Sequence, residues 1–122
     1  MTIDQAINTL DARQSNTFSR QEKIGWLSQL DELICKEVIS THQGEALSFA
    51  GYTAETDPQT RLLVPAPWED IYLYYMQAQM DYCNGEMTRY ANGAAMFNNV
   101  LSAYKNHYHR SHTPKGQAWR YF

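Results

Sequence analysis

The chain has 122 residues, 43% of them hydrophobic and 19% charged, and its formal net charge is −3. One domain of this size can bury a core without metals or disulfides, and the composition excludes a disordered chain. The negative charge argues against binding of nucleic-acid phosphates. No apolar run approaches the roughly 20 residues of a membrane-spanning helix, so we expect no association with a membrane.

Two amphipathic helices are predicted in the first third of the chain. Thr2 can cap the first, at residues 2–12, by accepting a hydrogen bond from a backbone N–H of its first turn. Ser19 and Glu22 have the spacing of a capping box, so the second helix starts there and runs to about His42. The inward-facing positions of the second helix are Leu27, Leu30, Ile34 and Val38.

Residues 43–66 interrupt this regularity. Gly44, Gly51 and Pro58 break helices and strands, and a connection of about 24 residues is long for a compact domain. Its apolar anchors are Phe49, Tyr52 and residues 62–64. We therefore predict an ordered but irregular crossing over the helices, with short strand-like pieces.

A helical hairpin is predicted for the second half of the chain. The third helix starts near Pro67 and ends at Asn84-Gly85, a common left-handed helix stop, and the fourth runs from near Glu86 to about His109. Gly93 in the fourth helix would allow another backbone to approach closely. An apolar stripe with spacings of three and four follows the fourth helix: Met87, Tyr90, Ala94, Phe97, Leu101, Tyr104 and Tyr108.

The stripe and the nine tyrosines of the chain allow two interpretations. Stripes at this spacing usually form the core of their own domain. Tyrosine also suits surfaces that become buried on assembly, and this stripe is longer than one hairpin partner can cover. Part of it is therefore a candidate contact with a neighbouring subunit. The candidate subunit-interface residues are Phe49, Tyr52, Tyr72, Tyr74, Tyr90 and Tyr104.

The predicted fold is all-α, with four helices in a domain of residues 1–112 and a flexible C-terminal tail of residues 113–122. The tail ends in Trp119, Arg120, Tyr121 and Phe122. Trp, Arg and Tyr are the residue types that dominate interface energetics, so we predict that the tail docks on another protein or subunit. The alternative is that it folds back onto its own helices.

Few residues suggest chemistry. His107, His109 and His112 stand near a helix C-terminus, where cations are favourable, and they lack further ligands at zinc spacing. Cys35 and Cys83 are expected to be buried reduced thiols, since a disulfide would need their helices to lie side by side.

Acidic pairs are a weak signal for acid–base catalysis, and we expect them to lie on solvated faces or at helix starts. No nucleotide-binding, nucleophile-elbow or metalloprotease motif occurs. We therefore expect no enzyme activity, no cofactor and no metal site. The acidic pairs are Asp31 and Glu32, Glu69 and Asp70, and Asp81 and Glu86.

Two stretches carry a resemblance to a known family: SRQEKIGWLSQLDELICKEVI (residues 19–39) and the block from TDPQT to HYHRSH (56–112). The most specific part of the block runs from LLVPAPWEDIYLYY through NGEMTRYANGAAMF (62–97). With the opening helix and the short tail, the chain resembles the small helical head–tail connector (adaptor) proteins of tailed bacteriophages and prophages.

The resemblance implies a structural protein of the virion. Such proteins form a ring beneath the portal protein, extend the DNA channel and offer a platform to the tail or a tail-completion protein. By this resemblance, residues 113–122 would reach the portal, neighbouring copies would pack in a ring, and DNA would pass without specific binding. Assembly would occur in the cytoplasm of the bacterial host, and the mature location would be the head–tail junction.

Two other functions remain open from the sequence. The chain could be a tail-completion or tail-terminator protein, which would stay with tails rather than heads. It could also be a small helical phage regulator that binds a host protein or nucleic acid, although the fourth helix offers few basic residues for DNA.

Overall fold

Four α-helices make up the fold in the computed structural model, which describes residues 1–38 and 49–111. The helices are α1 (Ile3–Arg13), α2 (Arg20–Glu37), α3 (Asp70–Cys83) and α4 (Met87–Ser111). The described residues contain no strand, only an isolated antiparallel bridge between Thr2 and Arg61. The all-α prediction is confirmed. The predicted tail and the first part of the long connection lie outside the described residues.

The helix starts follow the capping residues that the sequence contains. Thr2 Oγ1 accepts from the Gln5 N–H at 3.1 Å, and the Gln5 side chain accepts from the Thr2 N–H at 2.9 Å. Ser19 and Glu22 form the same reciprocal pair at the start of α2. These contacts satisfy backbone donors that have no partner inside a helix, so both predicted caps are confirmed.

The end of α2 differs from the prediction. The helix ends at Glu37 with Val38 as its C-cap, five residues before the predicted end at His42. The β-branched pair Val38-Ile39 follows the last helical residue, and β-branched side chains lose rotamer freedom in a helix. This local preference favours an earlier end than the hydrophobic spacing alone indicated.

The α3–α4 hairpin turns where the sequence predicts it. The Asn84 N–H donates to the Met80 carbonyl, and Gly85 has a φ of +74°, a left-handed conformation that favours glycine. α4 then begins at Met87 and extends to Ser111, two residues beyond the predicted end.

α3 lies at the centre of the fold. It packs against α1, α2 and α4, and its residues Leu73, Met76 and Met80 are fully buried. Among the helices of the described chain, α4 packs against α3 alone, apart from one ion pair at 3.8 Å between Lys105 and Glu37 of α2. α4 therefore shares only one side with the rest of the domain.

Residues 49–66 form the ordered, irregular crossing that was predicted for this part of the connection. Tyr52, Leu62 and Val64 are buried and anchor it to the core. Its backbone also binds the start of α1: the Ile3 N–H donates to the Thr60 carbonyl at 3.1 Å, and the Leu62 N–H donates to the Met1 carbonyl at 2.9 Å. Buried apolar side chains and backbone hydrogen bonds thus both attach the crossing to the helices.

Candidate interaction surface

A buried carboxylate fixes the crossing to the helices. Asp31 lies on α2 and is fully enclosed. Its Oδ2 accepts from the Tyr52 hydroxyl at 2.6 Å and from the Leu63 N–H at 3.1 Å, and its Oδ1 accepts from the Tyr72 hydroxyl at 2.7 Å. The Tyr72 hydroxyl in turn accepts from the Val64 N–H at 2.7 Å. We call Asp31, Tyr52 and Tyr72 the buried triad.

The protonation of the buried triad follows from its enclosure. Burial raises the pKa of Asp31, although the hydrogen bonds from Tyr52, Tyr72 and Leu63 oppose this effect. Burial, and then the interactions with Asp31, raise the pKa of Tyr52 and of Tyr72 well above the ordinary value. Both hydroxyls therefore keep their protons and act as donors. The triad joins α2, α3 and the crossing into one unit.

Three of the six predicted subunit-interface residues are buried inside the domain, which corrects that prediction for them. Tyr72 is fully buried and Tyr52 is 9% exposed, because their hydroxyls serve the carboxylate inside the domain. Tyr104 is buried, and its ring packs against those of Trp68 and Tyr108 at centroid distances of 5.8 and 5.9 Å. These three side chains pack inside the domain and offer no surface to another molecule.

The other three predicted interface residues lie at the surface. Phe49 is half-buried, with its ring edge-on to Tyr52 at 4.9 Å. Tyr74 and Tyr90 are half-buried on α3 and α4. Each of these two borders a groove between the helices, so they remain candidates for contact with another molecule.

The grooves flank a close contact between α3 and α4. At its centre the Gly93 backbone lies so near α3 that a Cβ added there would be 3.8 Å from Ala78 Cβ. On each helix, the residues that line one groove are offset by one position from those that line the other. An offset of one residue corresponds to a rotation of about 100° around the helix axis. One groove therefore lies on each side of this contact.

The first groove, here called the Phe97 groove, is lined mainly by aromatic residues and alanines and has a volume of about 220 Å³. The ring centroids of Tyr75 and Phe97 lie 5.3 Å apart across it, and those of Tyr90 and Tyr82 lie 5.4 Å apart. Its lining residues are Tyr75, Ala78, Gln79, Tyr90, Ala94, Phe97 and Asn98.

The second groove, here called the Asp81 groove, is lined mainly by polar and charged residues and has a volume of about 310 Å³. Asp81 is 5% exposed, and its Oδ1 lies 3.7 Å from Nη2 of Arg89. This separation suits charge attraction but exceeds a hydrogen bond. The lining residues are Gln14, Tyr74, Gln77, Asp81, Arg89, Asn92, Gly93 and Met96.

Large apolar side chains extend the exposed surface of the hairpin. Tyr82 is 59% exposed, Met87 50% and Met96 45%. Tyr82 and Met87 stand on either side of the turn between the helices, and Met96 borders the Asp81 groove. Methionine and tyrosine adapt well to a partner surface. The α3–α4 hairpin, with both grooves and its turn, is the candidate interaction surface.

Sequence reasoning missed the buried carboxylates. Asp31 and Asp81 were expected on solvated faces, and both are enclosed. For Asp31 the sequence holds a signal: it follows Leu27 by four residues and precedes Ile34 by three, so it belongs to the apolar stripe of α2. A carboxylate at such a position predicts buried hydrogen-bond partners, although it does not name them.

The histidines and cysteines occupy different environments. The His107 ring lies 4.3 Å from the Trp68 ring, and His112 lies outside the described residues. Cys35 is buried and forms no disulfide, as expected, whereas Cys83 is exposed at the end of α3, which corrects the prediction that both thiols are buried.

Neither a metal cluster nor a membrane span emerges from residues 1–38 and 49–111. In these ranges no three His, Cys, Asp or Glu side chains converge as metal ligands would, and none of the helices is long and apolar enough to cross a bilayer. Trp119, Arg120, Tyr121 and Phe122 lie outside the described part of the chain, so docking by the tail stays a prediction. Comparison with family models, curated proteins and solved structures found no match to this chain.

Proposed function

We propose that this chain is a non-enzymatic subunit of the head–tail connector of a tailed bacteriophage or prophage. In this role, copies of the chain form a ring beneath the portal protein, extend the DNA channel and join the tail. The proposal places the protein at the head–tail junction of the virion after assembly in the host cytoplasm.

The exposure of α4 is the observation that carries this proposal. Of its 25 residues only Tyr104 and Tyr108 are buried, and it packs against α3 alone among the described helices. The hairpin thereby presents two grooves with unlike residues on its two sides, one lined mainly by aromatic residues and alanines and one mainly by polar and charged residues. A ring needs such unlike faces, because each copy meets its two neighbours through different surfaces.

The charge of the chain supports the same role. A formal net charge of −3 disfavours attraction of DNA phosphates to the subunit. A channel through which DNA slides works better if its wall does not hold the backbone. The tail residues 113–122 are assigned to the portal, since their Trp, Arg and Tyr content suits an interface.

Quantitative mass spectrometry of purified virions tests the proposal. The chain would be counted against the portal protein in whole particles, in separated heads and in separated tails. We expect a copy number close to that of the portal, retained with the heads. Presence in tails alone would replace the proposal with a tail-completion or terminator role. Absence from virions would replace it with the regulator that binds a host protein.

A further inference from the structure

Asp81 is the one buried carboxylate of the described chain whose hydrogen bonding within the protein is incomplete. Its Oδ1 is buried and receives no hydrogen bond from any described protein group. Asp31 provides the comparison, because there both carboxylate oxygens accept hydrogen bonds. A buried charged oxygen without a donor is unfavourable, and a ligand that brings a donor would remove this cost.

Arg89 does not fill this role. Its Nη2 lies 3.7 Å from Asp81 Oδ1, and its side chain is 57% exposed. An ion pair with so exposed a partner contributes little stability, and a competing cation can displace it. Arg89 thus stands at the rim of the Asp81 groove.

The walls of the groove define what kind of donor would fit. The side-chain amides of Gln14, Gln77 and Asn92 line it and offer further hydrogen-bond acceptors. The thioether of Met96 and the ring of Tyr74 supply apolar surface next to them. We propose that the Asp81 groove binds a guanidinium or ammonium group carried on an apolar stem, with the cationic head at Asp81. This assignment does not depend on the connector function.

An NMR titration with n-butylguanidinium chloride tests this site. Saturable shifts are expected at the backbone amides of Gln77, Asn92 and Gly93. n-Butylurea has a similar shape without charge and should leave them unchanged. Asp81→Asn should weaken binding at least tenfold. Glu86→Gln removes the same charge from an exposed residue outside the groove and should change the affinity less than twofold.

Arg89→Gln should have the opposite effect on n-butylguanidinium binding. It keeps the test decisive if Asp81→Asn folds poorly. Removing the competing cation should strengthen n-butylguanidinium binding about threefold or more, by roughly the worth of an exposed ion pair. The proposal is wrong if the wild-type protein shows no saturable shifts, or if Arg89→Gln does not strengthen binding.

Two probes identify the source of the cationic group. Agmatine represents a free small molecule, and N-acetylarginine amide represents an arginine side chain presented by a protein backbone. Tighter binding of the capped arginine would assign the groove to a protein partner, and tighter binding of agmatine to a small molecule. Binding of neither probe would contradict the proposal.

Discussion

At the scale of single residues, the Tyr72 hydroxyl links α3 to both α2 and the crossing. It donates to Asp31 Oδ1 at 2.7 Å and accepts from the Val64 N–H at 2.7 Å. Tyr72→Phe keeps the ring but leaves both partners short of a hydrogen bond inside the core. We expect a loss of about 2–4 kcal/mol in the free energy of unfolding, since each such buried group costs about 1–3 kcal/mol.

Urea denaturation followed by circular dichroism measures this loss. Tyr75→Phe is the matched control, because the Tyr75 hydroxyl donates to the Gln29 side chain at an exposed position, at 3.3 Å, and otherwise interacts with the Gln79 side chain. It should cost less than about 0.5 kcal/mol, as surface substitutions usually do. Equal losses for the two variants would show that the triad does not hold the crossing.

Asp31 gives the protein a characteristic pH dependence. Its folded pKa is raised by burial above the unfolded value, about 3.9. Between these two pKa values the folded state binds more protons than the unfolded state, so stability falls as the pH rises through this range. Relative to Asp31→Asn, the wild-type free energy of unfolding should be highest below about pH 4 and then decline, by about 1.4 kcal/mol per unit of pKa elevation.

The difference in the free energy of unfolding between wild type and Asp31→Asn, taken at each pH, isolates the contribution of Asp31. Asp11 has the opposite dependence, because the hydrogen bond from Lys23 lowers its pKa, and its contribution is the same in both proteins. Urea denaturation from pH 3.5 to 8 provides the measurement. A difference that stays constant or increases with pH would contradict the assignment.

At the scale of the elements, local signals predicted the helix starts and the hairpin turn. Thr2, Ser19 and Gly85 act through groups within a few residues of themselves, so the sequence contains both halves of each interaction. The buried triad differs, because Asp31 meets Tyr52 and Tyr72 from 21 and 41 residues away. Spacing along the chain carries no information about such pairs.

The same reasoning explains the error about the tyrosines. Periodicity placed Tyr104 on the stripe of α4 and correctly indicated one apolar side, but it does not tell core from interface. That distinction depends on which helix covers which part of the stripe. Trp68 and Tyr108 cover Tyr104, whereas Met87 at the other end of α4 is 50% exposed.

The glycines of the hairpin lead to a prediction about α4. An added Cβ at Gly93 would stand 3.8 Å from Ala78 Cβ, an ordinary contact, so Gly93→Ala should raise stability by up to about 1 kcal/mol through helix propensity. Gly25→Ala in α2 is the control. A Cβ added there would meet open space, so this substitution should also raise stability.

Gly85→Ala should have the opposite sign. Its φ of +74° strains any residue with a Cβ, and a loss of about 1 kcal/mol is expected. Thermal denaturation of the three variants measures these signs. Destabilisation by Gly93→Ala together with stabilisation by Gly25→Ala would show that α3 and α4 approach more closely than the structure indicates.

At the scale of the whole molecule, the proposed ring requires that the two grooves belong to different faces. Met96→Glu alters the Asp81 groove and Asn98→Glu alters the Phe97 groove, both at exposed positions. Each variant alone should fail to form rings on the portal. A mixture should form pairs but no closed rings, because one intact junction remains between unlike variants.

Mass photometry of the mixtures with purified portal protein distinguishes these species. Ala103→Glu adds the same charge at an exposed position of α4 outside both grooves and should assemble normally. Self-pairing of either groove variant as efficient as that of the wild type would indicate a symmetric contact and contradict the heterologous ring.

The tail provides the remaining test of the connector proposal. Deletion of residues 113–122 should abolish docking on the portal while the helical circular-dichroism signal is retained, since α1 to α4 end at Ser111. Under this hypothesis the tail orders when it binds, and the free energy spent on ordering keeps free subunits apart until the portal is present.

A second variant, with residues 113–122 replaced by a Gly/Ser sequence of equal length, separates the effect of composition from that of length and should also fail to dock. Co-sedimentation with portal rings measures both variants against the full chain, and docking by the truncated protein at wild-type affinity would move the portal contact from the tail to the helical domain.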